Sequence, residues 1–269
     1  MIKDNENSEI PKNDIVEDNN SISNKMAENN NLNSVITKDF KMLRKNRQTN
    51  NNNDVYKSIK SNNITEFYKK INKDELNRIV KYSFDDKFHN FWSKCSSDDL
   101  YAKLAAAHLS INASRQGSKD EKEQINIINT FCSNNKININ ITDLNNNALR
   151  PVKNENRIIT GIERKKEKIN KDKCLKSFDG SITGILNGYL TAKVCFGKGG
   201  HQDNVFEEED TIANWWKNNK NNEEKIYIVI LIDTDQETQF NNLKNKYNDV
   251  NNILIFNHVQ FQQYIINNY

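Results

Sequence analysis

The run Lys225–Ile232, KIYIVILI, constrains the fold more than any other stretch of the chain. Successive side chains on a strand point to opposite faces, so a run that is apolar on both phases needs cover on both faces. Such a strand belongs inside a sheet with a layer on each side. The neighbouring patterns supply those layers. Helical spacing is read at Asp203–Lys217, Thr238–Tyr247 and Val259–Ile266, and further strands at Ser177–Gly184, Tyr189–Phe196 and Ile253–Phe256. The alternation predicts an α/β fold with a mixed central sheet flanked by helices.

Upstream the pattern is helical. Ile64, Phe67, Tyr68, Ile71, Leu76, Ile79 and Val80 recur at helical spacing, Phe88, Phe91 and Trp92 suggest a short helix, and Leu100–Leu109 is rich in alanine and leucine. These aromatics read as core, and His89 and His108 as structural. Ser118 followed by Glu121 reads as a capping box opening a helix over 119–131. Short strands are expected at Lys136–Ile141 and Arg157–Thr160. Residues 1–55 are polar with scattered apolar positions and are expected to be disordered, because they bury too little surface to offset the entropy of ordering. The division that follows is a disordered segment over 1–55, a helical subdomain over 56–112 and a catalytic core over 113–269.

Composition excludes some classes. The net charge is +3 and the mean hydropathy −0.89, so charge alone points to no nucleic-acid partner. Asparagine supplies roughly one residue in six, which dulls every turn signal. The basic runs at 44–47 and 164–168 read as solvated faces or as phosphate contacts. Four separated cysteines without a CxxC argue against a thiolate zinc site. With no apolar leader and no run long enough to span a bilayer, the expectation is a cytoplasmic protein without a membrane partner.

Chemistry concentrates in Phe178–Glu209, which holds six of the eight glycines. A hairpin turn centred on Leu186 would pair residues whose numbers sum to 372 and set Asp179 opposite Lys193, with Thr191 on the same face as the lysine. A slip by one residue would undo that arrangement. A carboxylate beside a lysine suits hydrolysis. The carboxylate binds a divalent metal, which activates water and offsets charge on a phosphate, and the lysine orients or deprotonates the water. Mg²⁺ fits, since it takes oxygen ligands and retains several waters.

Phe178-Asp179-Gly180 and Thr191-Ala192-Lys193 resemble the Pro-Asp and Asp/Glu-x-Lys halves of the PD-(D/E)XK nucleases, the type II restriction endonucleases in particular, over roughly residues 110–269. The resemblance implies a restriction-endonuclease-like core, with Asp179 as metal ligand and Lys193 as the water-activating residue. Phe178 stands for the proline and Thr191 for the second carboxylate. One subgroup of those enzymes supplies that carboxylate from the following helix, thirteen residues beyond the lysine. Thirteen residues, 194–206, separate Lys193 from Glu207, which implies Glu207 as the displaced ligand, with Glu208 and Asp203 as rivals. Glu121 resembles the early-helix acid found elsewhere in the superfamily, a further metal ligand.

Two loops carry the DNA-contact expectations. Gly197–Asn204 enters a helix as phosphate-cradling segments do, though without the order of a nucleotide P-loop; it brings Lys198, His201, Gln202 and Asn204. Ser114–Gly117 brings Arg115, with Lys119 just beyond. Asp233 and Asp235 read as strand-end caps, and Trp215 and Trp216 as packing. The implied activity is Mg²⁺-dependent, site-specific hydrolysis of double-stranded DNA by a homodimer, with a cognate DNA methyltransferase in the cell. The competing reading, prompted by Thr191, is a DNA-binding protein with a decayed, inactive nuclease core.

Overall fold

The computed structural model describes residues 19–144, 148–197, 200–220 and 225–269, with side chains at all of these but 19–35, 37, 115 and 200–203. It is an α/β fold with a mixed five-stranded sheet flanked by helices and an N-terminal helical region. The strands are β1 (Ile139–Asp143), β4 (Gly180–Gly184), β5 (Gly188–Cys195), β6 (Tyr227–Thr234) and β7 (Ile253–Phe256), in that spatial order. The β1–β4 and β4–β5 pairs are antiparallel, whereas β5, β6 and β7 are mutually parallel. A separate hairpin joins β2 (Leu149–Pro151) to β3 (Ile158–Thr160).

β6 is the apolar run, and all of its residues after Tyr227 are buried. Its two phases feed two cores. Ile228, Ile230 and Ile232 pack with Trp215 and Trp216 of α8 (Gly200–Lys220) and with Phe240 and Leu243 of α9 (Glu237–Lys246). Val229 and Leu231 pack with Ile125 and Ile128 of α6 (Gly117–Asn134) and with Phe261 and Ile265 of α10 (His258–Asn268). Each fully buried aliphatic side chain stabilises the fold by roughly 1.5–3 kcal/mol, so this one strand anchors both layers. Parity then sorts β5: Leu190 and Ala192 join the α6 side, and Tyr189 and Cys195 the α8 side. Lys193 and Thr191 therefore project toward α8. At the start of β5, Gly188 has φ +156°, and a Cβ there would overlap the Tyr227 carbonyl.

The helical region comprises α2 (Ile64–Lys70), α3 (Lys73–Ser83), α4 (Phe88–Ser97) and α5 (Asp99–Leu109) around Phe67, Leu76, Phe91, Trp92 and Leu109. Asparagine has a positive use here: Asn63 and Asn72 cap α2 and α3 by accepting backbone N–H groups.

The largest difference from expectation is at the N-terminal end. Asn19–Lys60 forms one helix, α1, where disorder was expected through residue 55. Its inward face runs Ile36, Phe40, Arg44, Arg47, Asn51, Val55, Ile59, which is helical spacing. The apolar ends of that stripe are buried, Phe40 against Phe196 and His258 of the core and Val55 and Ile59 in the helical region. The middle is polar because it crosses polar groups: Arg44 and Arg47 pair with Asp120 at 2.7 and 2.8 Å, and Asn51 donates to the Ile111 carbonyl. Hydrophobicity alone misses such a helix, since three of the seven residues on that face are polar, two of them charged.

Candidate active site

Four side chains meet where β4 and β5 part. Asp179 precedes β4; its amide donates to the Leu190 carbonyl at 2.8 Å. The β4–β5 ladder pairs Gly180 with Leu190 and Ser181 with Tyr189, so paired numbers sum to 370 rather than 372. The register is shifted by two residues from expectation, not one, and a shift of two preserves the face. Asp179 is accordingly diagonal to Lys193 rather than opposite it. Its Oδ2 accepts from the Ala192 amide at 2.9 Å and from Lys193 Nζ at 2.8 Å. The carboxylate thus takes over an amide that the ladder leaves free, which fixes its orientation.

Lys193 is 5% exposed. Its ammonium also donates to the Ala192 carbonyl at 2.9 Å and lies 3.5 Å from Glu121 Oε1 and 3.8 Å from Glu209 Oε1. Burial works against its charge, but Glu209, Asp179 and Glu121 together outweigh burial and hold its pKa above the ordinary lysine value. Lys193 is firmly an ammonium.

Glu209, on α8, is fully buried. Its Oε2 accepts from Thr191 Oγ1 at 2.6 Å, whereas Oε1 is buried without a hydrogen-bond partner. Burial pushes its carboxyl up to about 6, against the pull of Lys193 and Thr191. Glu121 comes from α6 and is partly exposed; burial raises its pKa too, opposed by Lys193. The expected capping box is absent: the N-cap of α6 is Gln116, without a side-chain cap bond, and Glu121 turns toward Lys193 instead of back to Ser118. When all three acids are ionised, three negative charges surround one positive charge.

Glu207 does not join this group. It is exposed, and at about 100° per residue it lies some 200° around α8 from Glu209. Glu209, not Glu207, is the helix carboxylate beside the lysine. Of the rivals, Glu208 pairs with Lys176 at 2.6 Å, and the Asp203 side chain lies outside the described residues. A signal for Glu209 exists in the sequence: it interrupts the apolar stripe Phe206, Ala213, Trp216 at helical spacing, and an acid on a buried stripe needs a partner.

The two buried polar residues of α6, Asp120 and Gln124, brace the site from behind. Gln124 Nε2 donates to the Lys193 carbonyl at 3.0 Å and to Asp233 Oδ2 at 2.8 Å, and Asp233 also receives the amide and Nδ1 of His258. Asp235 accepts from the Gly197 amide at 2.9 Å. Both aspartates hold strand-end structure. Asp120 gathers Arg44 and Arg47, two residues with no expected role at the site; Arg44 also lies 5.4 Å over the Phe196 ring.

A cleft of about 650 Å³ opens above Lys193, walled by Arg44, Ser114, Glu121, Lys176 and Asn204. Asn204 is therefore at the site, and Lys119 is exposed on the first turn of α6. Arg115 lies in a short 3-10 turn, Ala113–Arg115, beside the cleft, and His201 and Gln202 in the first turn of α8; the side chains of these three are outside the described residues, as is all of Lys198.

Among the described residues no group of three or more His, Cys, Asp or Glu side chains forms a candidate metal cage, and the Lys193 ammonium lies between the carboxylates. The donor set nevertheless suits a hard divalent ion: it is oxygen only, and Glu209 Oε1 is a buried carboxylate oxygen without a hydrogen-bond partner. Asp179 and Glu209 are the residues that would hold it. Among the described residues no helix is long and apolar enough to cross a membrane. No family model matches the chain, and no curated protein and no solved structure matches it.

Proposed function

We propose that the protein is a Mg²⁺-dependent endonuclease that hydrolyses phosphodiester bonds in double-stranded DNA at specific sites, in the manner of type II restriction enzymes. The observation that carries this reading is the Asp179–Lys193–Glu209 group, with Glu121 beside it, at the floor of an open cleft. Such a group binds cations and anions side by side, as a phosphodiester and its counter-ion require.

Mg²⁺, when bound, supplies positive charge that offsets the charge building on the phosphate. The protein's own residues do the rest. Asp179 is held in place by the Ala192 amide. Lys193, which keeps its proton, donates to the attacking water or to a non-bridging phosphate oxygen and stabilises the transition state electrostatically. This gives the lysine the role of a fixed cation rather than a base. The base is Glu121, whose carboxylate stands in the cleft with a raised pKa. Water attacks phosphorus, its proton passes to Glu121, the P–O bond to the leaving sugar breaks, and the departing oxygen takes a proton from solvent. Cutting both strands of a palindromic site calls for a homodimer, and a methyltransferase of the same specificity would protect the host's DNA.

A second reading, a DNA-binding protein with a decayed core, draws on the Lys193 contact with Asp179, which neutralises the ligand a metal would need. Unmethylated phage DNA incubated with Mg²⁺ or EDTA separates the two. Discrete Mg²⁺-dependent fragments that vanish in Lys193→Ala support the nuclease. Intact DNA across several substrates would leave only binding.

A further inference from the structure

A second cavity lies away from Lys193. It holds about 960 Å³ in the seam between α1 and the helical region, and its charged lining is Lys41, Arg44 and Lys45 of α1, Glu75 and Arg78 of α3, and His108 of α5. Arg44 and Ser114 line both this cavity and the cleft above Lys193, so the two adjoin. We propose that this seam is a second phosphate-binding subsite, which grips the backbone of a DNA duplex away from the bond being cut.

Three observations carry the assignment. First, Lys41 and Lys45 are exposed, one helical turn apart, and neither forms an ion pair among the described residues. Like charges at that spacing repel, so the pair is unfavourable unless an anion lies across it. Lys60 of α1 and Lys94 and Lys103 of the helical region, by contrast, have carboxylate partners. Second, the single acid in the lining is already occupied. Glu75 pairs with His108 at 2.8 Å and with Arg78 at 3.3 Å, which aims Arg78 and leaves Lys41 and Lys45 without a counter-ion in the lining. Third, α1 is locked in register on the core by the Arg44 and Arg47 contacts with Asp120. The lysines are thus presented from a fixed helix, and a chain of phosphates leaving the cleft past Arg44 meets them next.

The subsite rests on the nucleic-acid reading above but not on catalysis, so it is tested without divalent metal. Binding of a fluorescein-labelled DNA duplex is followed by anisotropy in EDTA, from about 50 to 200 mM salt. Lys41→Ala/Lys45→Ala should weaken binding at least tenfold at the low-salt end and flatten the slope of log K against log salt by about 2, the value for two lost phosphate contacts. Lys165→Ala/Lys166→Ala, in the exposed basic run of α7 (Gly161–Lys166), removes the same charge elsewhere and should leave the slope unchanged. An unaltered slope in the α1 variant overturns the proposal, as does an equal loss in the α7 variant or a wild-type protein that binds no duplex. A wild-type protein that binds but never cuts with Mg²⁺ overturns the nuclease reading alone, provided the α1 variant still flattens the slope.

Discussion

Glu209→Gln isolates the carboxylate that organises the site, because it removes the charge while keeping an acceptor for Thr191. The carboxyl is fully buried and raised from an ordinary 4.5 to about 6. Below the unfolded value both states are protonated and the acid costs nothing. Between the two values the unfolded chain ionises first, and above about pH 6 the folded state has lost about 2 kcal/mol, at 1.36 kcal/mol per decade. Glutamine does not ionise and escapes that loss. Glu209→Gln should therefore be more stable than wild type by about 2 kcal/mol at pH 7.5, a rise in melting temperature of about 4–8 °C, with the gain gone at pH 4. Cleavage should fall by about two orders of magnitude or more, as when a preorganised charge at a reacting centre is removed. The exposed Glu207→Gln should change stability by no more than about 0.5 kcal/mol and leave cleavage intact. Differential scanning fluorimetry at the two pH values and a plasmid digest read all of this. A Glu209→Gln protein less stable than wild type at pH 7.5, or one that still cuts, would refute the reasoning.

Asp120→Ala strands Arg44 and Arg47 against the core and should cost about 3 kcal/mol, the lower end for a broken buried pair since both arginines are partly exposed; limited proteolysis should then cut within α1 before anywhere else. At subsaturating Mg²⁺ the cleavage rate should climb as pH rises through about 6, because Glu209 must lose its proton before it can act as a ligand; a flat profile between pH 5 and 7 under those single-turnover conditions would remove Glu209 from the chemistry. Lys193→Ala should lose cleavage and also be less stable at pH 8 than at pH 5, relative to wild type, because three carboxylates then face one another without the ammonium; a thermal melt with no pH-dependent difference would contradict the charge arrangement.

Much of the sheet was legible because burial on both faces leaves a mark on every residue of a strand. KIYIVILI located β6, and the strands and helices around it follow the sequence pattern to within a few residues. α1 was illegible for the opposite reason. Its inward face mixes Ile36, Phe40, Val55 and Ile59 with Arg44, Arg47 and Asn51, and the partners that make those polar residues worth burying, Asp120 and the Ile111 carbonyl, are distant in the chain. Periodicity was present, but a hydropathy criterion counts only half of it. The hairpin shows a different tolerance. A turn centre misplaced by one residue moves the pairing by two, so Asp179 and Lys193 stayed on one face although the pairing itself was wrong.

The helix acid beside the lysine is not the one expected, because counting along the chain fixes distance, not direction. Glu207 and Glu209 are both within reach of a strand by residue count, yet they point to opposite sides of α8. Direction is set by what the helix buries, and the stripe that packs Phe206, Ala213 and Trp216 on the sheet carries Glu209 with it. The same geometry accounts for Thr191. Position 191 projects toward α8, and its hydroxyl meets the Glu209 carboxylate at 2.6 Å. A carboxylate at 191 would bring a further negative charge against a fully buried acid, whereas a hydroxyl gives that acid a donor and holds one oxygen, leaving Oε1 directed at Lys193. Threonine thus supplies the donor that the buried Glu209 carboxylate needs. Its presence, which on the strand alone reads as decay, is on this geometry an argument for a working site.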